Sequence, residues 1–259
     1  MRRRMLMGVL SAWCAAASAQ EGLKRQEWKV DGVTREALVY VPASAKTAPT
    51  PVVFGFHGHG GKVQGTANKF ALHKHWPDAI VVYPQGLPSV GGNDPEGKQP
   101  GWQKESGAYG DRDLKLFDAM LDSLKKEYQV DAKRVFAMGH SNGGAFTYLL
   151  WAVRGDVLAG VGPISGGGER LLKELKPKPA FIAAGEKDPL VKIDGQRRVI
   201  EAVKKINGCA GKGEPWGHLA TRFPSSGGTP LVAYVHPGGH SFPPETTELM
   251  MKFFREVGK

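Results

Sequence analysis

Cysteine is almost missing from this 259-residue chain, which has only Cys14 and Cys209. Cys14 falls in a segment expected to be removed, which leaves Cys209 alone. A disulfide-stapled fold is therefore excluded. Long apolar runs are scarce too. A bilayer-spanning helix needs roughly 20 consecutive apolar residues, so no stable membrane anchor is expected. No internal repeat, low-complexity linker or second compositional block is evident, and a single domain is expected. Acidic residues are outnumbered, 25 against 35 basic, for a net charge of +10. The basic residues are spread along the chain rather than gathered in one run. They read as general solubility, and no nucleic-acid partner is expected. A phosphate-binding loop is also excluded: Gly61-Lys62 is followed by Val63, and position 56 is Phe56.

The chain begins with Arg2, Arg3 and Arg4, followed by an apolar stretch from Met5 to Ala17 and then Ala17-Ser18-Ala19. This order has the form of an export signal, with cleavage expected between Ala19 and Gln20. Trp13 before Cys14 argues against a lipoprotein signal. The expected organisation is a signal at 1–19 and one catalytic domain over 20–259, exported to the periplasm or outside the cell. Removing three Arg from 35 basic residues leaves 32 against 25 acidic, or +7.

Short apolar strands are predicted at 51–56, 79–83, 134–138, 158–164, 180–184 and 231–235, after a hairpin over 25–42 with its turn at Asp31-Gly32. Helical periodicity appears at Leu114, Phe117, Leu121, Leu124 and Tyr128, and again over 145–153, 199–206 and 245–257. Strands alternating with helices predict an α/β fold with a mostly parallel sheet covered on both faces. Gln85–Gly110 and Asn207–Gly228 read as long glycine-rich loops, and loops of this length are commonly functional. Trp102 and Trp216 lie in them, either as walls of a substrate cleft or as packing for their own loops.

Gly139-His140-Ser141-Asn142-Gly143 matches G-x-S-x-G between a strand and a helix. That setting holds a serine hydroxyl clear of the sheet on a strained turn. Such a hydroxyl needs an adjacent base. Eight histidines are present, at 57, 59, 73, 75, 140, 218, 236 and 240. The chain order serine, acid, histidine leaves His218, His236 and His240, and the loop before the last helix favours His240. For the acid, Asp188 follows the strand at 180–184, with Glu186 and Asp194 as rivals. Oxyanion donors are expected from the backbone N–H of Asn142 and from His59 or Gly58 in the His57-Gly58-His59-Gly60-Gly61 loop. No third ligand accompanies His57 and His59 at metal spacing. No metal and no cofactor are expected.

These motifs occur together with Val82-Tyr83-Pro84-Gln85-Gly86, Gly101-Trp102, Val130 to Val135, Gly185 to Asp188, Asn207-Gly208-Cys209 and His236 to His240. As a set they resemble the secreted α/β-hydrolase esterases grouped with polyhydroxybutyrate depolymerases, feruloyl esterases and acetyl xylan esterases. The resemblance covers nearly all of 20–259. It implies a serine esterase whose catalytic serine, aspartate and histidine are Ser141, Asp188 and His240. The substrate would be a feruloyl or acetyl polysaccharide ester or a short hydroxyalkanoate oligomer, as a small, oligomeric or polymeric ester. Relatives often pair the cysteine at position 209, whereas this chain offers it no partner. The alternatives are acyl transfer to an alcohol or sugar acceptor, and a non-catalytic carbohydrate-binding protein on the same scaffold. Oligomeric state is not legible.

Overall fold

The computed structural model describes residues 22–259, so the expected export signal lies outside the described residues. The strands are β1 Leu23–Val30, β2 Val33–Tyr40, β3 Thr50–Phe56, β4 Ile80–Pro84, β5 Leu87–Pro88, β6 Pro100–Gly101, β7 Val130–His140, β8 Gly160–Ile164, β9 Ala180–Gly185, β10 Glu214–Gly217, β11 Ala220–Phe223 and β12 Leu231–His236. The helices are α1 Val63–Phe70, α2 Leu72–His75, α3 Arg112–Glu127, α4 Asn142–Arg154, α5 Ile193–Ile206 and α6 Thr246–Val257.

Ten strands form one sheet in the order β1-β2-β4-β3-β7-β8-β9-β12-β11-β10. The run from β4 to β12 is parallel. Antiparallel pairs close both ends, β1 and β2 on one side and β11 and β10 on the other. The middle strands are apolar on both faces because both are covered. Phe54 and Val52 in β3 turn to one face, packing with Phe117 of α3, Phe146 of α4 and Val199 of α5. Val53 turns to the other, with Phe70 of α1 and Phe253 and Phe254 of α6. Residue alternation within each strand thus feeds two cores.

The hairpin and the six expected buried strands are present, with β7 longer than its apolar segment. Two expectations fail in part. The segment 207–228 is not all loop: β10 and β11 extend the main sheet through it. The segment 85–110 is pinned by the β5–β6 pair, Leu87 with Gly101 and Pro88 with Pro100. Helices α1 and α2 were not anticipated. Among the described residues, no helix is long and apolar enough to cross a membrane.

Candidate active site

Strand β7 lies between β3 and β8, in the parallel middle of the sheet, and delivers Ser141 at its carboxyl end. Ser141 adopts φ 59°, ψ −118°, a conformation costly for a residue with a Cβ. It is held there by its own N–H, which donates to Ile164 O at 2.8 Å. The turn closes only because two positions lack side chains. A Cβ on Gly143 would lie 2.2 Å from Phe56 O, and one on Gly139 would lie 2.4 Å from the Gly143 carbonyl. Both obstacles are backbone and cannot swing aside.

The loops after β9 and β12 supply the other two groups. Glu186 N donates to His236 O and Lys187 N to Gly238 O, each at 2.9 Å. The loops approach so closely that a Cβ on Gly185 would fall 2.2 Å from Gly239 O. This stitching brings together side chains 52 and 99 residues apart. His240 Nδ1 lies 2.8 Å from Asp188 Oδ2, and His240 Nε2 lies 2.7 Å from Ser141 Oγ. The acceptor-only carboxylate assigns the proton to Nδ1 and leaves the Nε2 lone pair for the serine hydroxyl. Asp188 is buried. Its Oδ1 accepts from the N–H groups of Leu190 and Val191 at 2.8 and 2.9 Å. Burial pushes its carboxyl up, but the Val191 N–H, the His240 imidazole and the Leu190 N–H outweigh this and hold it below the ordinary range.

The rival groups lie elsewhere. Glu186 pairs with Arg197, and Asp194 is exposed in the first turn of α5. His218 is exposed, whereas His236 is buried with its Nδ1 accepting from Gly238 N. His140 sits beside the site, its ring centroid 5.1 Å from that of His240. Burial first, then the charge of Lys69, pushes it down to about 3. It therefore stays uncharged next to a ring that would gain a proton during acyl transfer.

The glycine-rich loop after β3 is fixed through His57. Its Nδ1 contacts Gly58 O at 2.7 Å, while its Nε2 accepts from Gly86 N at 2.9 Å. That pattern places the proton on Nδ1, and burial pushes the group down to about 4, so the ring stays neutral. Gly61 N also donates to Gly58 O, at 3.0 Å. In a planar trans peptide the His59 N–H points opposite to the Gly58 carbonyl, so the two donors on Gly58 O fix its direction. Gly60 N donates to Pro100 O. Gly58 itself lies against Ser141, since a Cβ there would be 3.3 Å from Ser141 Cβ. Asn142 begins α4, where unpaired N–H groups and the helix dipole favour negative charge.

The Asn142 side chain has a role the sequence did not reveal. Its Oδ1 accepts from Trp102 N at 2.7 Å and its Nδ2 donates to Trp102 O at 3.0 Å, clamping the 85–110 segment to the serine turn. Farther back, the Arg35 guanidinium donates to Asp113 Oδ1 at 2.8 Å, and Asp113 Oδ2 accepts from Gln103 N at 2.9 Å. Both charged side chains are buried, which a spacing of 78 residues hides from pattern reading.

The structure does not place Trp102 on a cleft wall. Its ring is 1% exposed and packs on Phe56 and Phe146, with Nε1 donating to His57 O. Trp216 packs on Phe181 and Phe253 and donates to Glu256 of α6, so it belongs to the end of the sheet rather than to the serine. Among the described residues, no group of His, Cys, Asp and Glu forms a metal cluster.

No protein-family model matches the chain. It is 25% identical over 251 residues to a probable feruloyl esterase C of Aspergillus flavus, covering 93% of this chain and 89% of that one. It is 28% identical over 168 residues to a bifunctional acetylxylan esterase/xylanase of Neocallimastix patriciarum, covering 62% of this chain and 22% of that one. Among solved structures, the acetyl xylan esterase from Aspergillus awamori superposes with a TM-score of 0.65 at 16% identity, covering 90% and 99% of the two chains. The fold is that of the α/β-hydrolases.

Proposed function

We propose that this chain, an ester hydrolase of the feruloyl and acetyl xylan esterase type, cleaves its substrate through an acyl-enzyme on Ser141. The observation that carries the reading is the continuous hydrogen-bonded chain from Asp188 through His240 to Ser141 Oγ. Ser141 Oγ attacks the ester carbonyl carbon as His240 Nε2 takes its proton. The carbonyl oxygen becomes an oxyanion that accepts from the backbone N–H groups of Asn142 and His59, with Gly58 as the alternative second donor. Collapse breaks the bond to the alcohol oxygen, which leaves with the proton from His240. Water then loses a proton to His240 and attacks the acyl carbon, and collapse breaks the bond to Ser141 Oγ, which takes that proton back from His240 as the acid is released. Asp188 orients the imidazole and stabilises its protonated form throughout.

Feruloyl or acetyl esters of plant polysaccharides are the substrates favoured by the names of the relatives, and short hydroxyalkanoate oligomers are the further candidates. The basic, then apolar, then small-residue order of 1–19 supports export by signal cleavage. Ser141→Ala is expected to lower turnover of p-nitrophenyl acetate by on the order of 10⁴ or more and to abolish labelling by a fluorophosphonate probe. Wild-type turnover in that variant would overturn the assignment. Methyl ferulate, acetylated xylan and hydroxybutyrate oligomers, assayed side by side, rank the substrate classes.

A further inference from the structure

The loop Gly58-His59-Gly60-Gly61 has a single side chain, that of His59. Glycine-rich backbone loses the most conformational freedom on ordering, so this imidazole is the one side-chain handle on the loop beyond the grip that His57 has on Gly58. It is gripped from the 89–101 segment. His59 Nε2 lies 3.0 Å from Asp94 Oδ2, with both side chains largely shielded from solvent. The ring lies flush against the segment, because a Cβ on Gly91 would be 2.6 Å from Nε2 and one on Gly101 would be 2.8 Å from Nδ1. Asp94 is itself held rigidly. Its Oδ1 accepts from Lys98 N at 3.1 Å and its Oδ2 from Gln99 N at 2.8 Å. Its backbone exchanges hydrogen bonds with Gly91. A second tie, Gly60 N to Pro100 O at 2.8 Å, joins the same two segments.

We propose that Asp94 is a positioning residue for the oxyanion hole, acting through the His59 imidazole to fix where the His59 backbone N–H sits relative to Ser141 Oγ. The inference rests on the acyl-enzyme reading above. The carboxylate touches no reacting atom. It holds the imidazole, the imidazole holds its own Cα, and the peptide N–H on that residue is thereby aimed. Oxyanion donors act on the transition state more than on bound substrate. Releasing the handle therefore lowers kcat and leaves KM almost unchanged.

The test is a double-mutant cycle on p-nitrophenyl acetate with Asp94→Ala, His59→Ala and the double variant, each checked for native circular dichroism. His59→Ala keeps the backbone N–H and leaves the 94–99 turn in place, so it reports on the pair even where D94A folds poorly. Losing an oxyanion donor outright costs about 100- to 1,000-fold in kcat, and a misaimed donor is expected to cost about tenfold. Each single variant should show that fall with KM changed by less than about twofold, and the double should fall no further than H59A. Unchanged kcat in both singles, a rise in KM alone, or factors that multiply in the double would overturn the proposal. Ser141→Ala separates the two ideas. An active S141A removes the acyl-enzyme reading, while an inactive S141A beside fully active D94A and H59A removes only the role given to Asp94.

Discussion

Asp188→Asn is the substitution whose outcome the hydrogen-bond pattern dictates most directly. The amide replaces the carboxylate almost atom for atom, yet its two ends differ. The end occupied by Oδ1 faces two donors, Leu190 N and Val191 N. Only the amide oxygen satisfies them, so the NH₂ group is turned toward His240 Nδ1. That nitrogen must then accept, and its proton moves to Nε2. Nε2 lies 2.7 Å from Ser141 Oγ and would now present an N–H where a lone pair is required. The base is lost without any displacement of the ring. The expected loss in kcat is about 10⁴-fold, or roughly 5.5 kcal/mol of transition-state stabilisation at 1.36 kcal/mol per factor of ten. KM should barely move. Because both backbone hydrogen bonds survive, stability should fall by only about 1 kcal/mol. Steady-state kinetics on p-nitrophenyl acetate and a urea titration measure the two effects. A D188N enzyme within about tenfold of wild-type kcat would refute the assignment of Asp188 and the tautomer argument together.

Acid should weaken the fold before carboxylates titrate. His57 is pushed down to about 4 and His140 to about 3, so each is neutral when folded and protonated when unfolded below its ordinary value of about 6.5. The unfolded chain then binds the extra protons. Stability is full above about pH 6.5 and falls as pH drops toward 4 for His57 and 3 for His140, by up to about 1.4 kcal/mol per pH unit for each. Urea titrations at pH 7, 6 and 5 test this, and a flat profile contradicts it. Gly143→Ala forces a Cβ into Phe56 O and His57 O. It should cost at least about 2–3 kcal/mol and most of the activity, whereas Gly167→Ala meets nothing within 4 Å and should be silent in both assays. Arg35→Leu strands the buried Asp113 carboxylate and should cost about 3–5 kcal/mol in a urea titration. Adding Asp113→Leu should make the loss smaller, and a larger loss in the double would contradict this account of the pair.

Much of the candidate site could be named from the sequence because its signals are local. Ser141 stands in a five-residue motif between an apolar strand and a helix. Asp188 and His240 each follow an apolar strand on a turn marked by glycine or proline. The physical reason is that parallel strands deposit their loops on one edge of the sheet, so strand ends in the right order suffice to nominate the groups. The residues that position the backbone donors carry no such signal. His59 and Asp94 are 35 residues apart, and the buried pair Arg35 of β2 and Asp113 of α3 is 78 apart, so neither pairing follows from the local pattern around it. Trp102 left two readings open for a related reason. An indole in a glycine-rich segment looks available to a ligand, but Phe56 and Phe146 had already enclosed it. Strands β10 and β11 were read as loop because each spans only four residues in a stretch punctuated by glycine and proline.

Ser141 rests on a floor of main chain. Around it, a Cβ on Gly139, Gly143 or Gly185 would strike backbone first, carbonyl groups above all. A surface made that way offers evolution no adjustable parts: a larger residue breaks it, and there is nothing smaller to try. Selectivity for one acid or alcohol over another must then come from side chains beyond that floor, and Val90, Tyr109 and Leu190 are exposed side chains on the segments that follow β4 and β9. A library aimed at new substrates should randomise those three positions and leave the glycines alone.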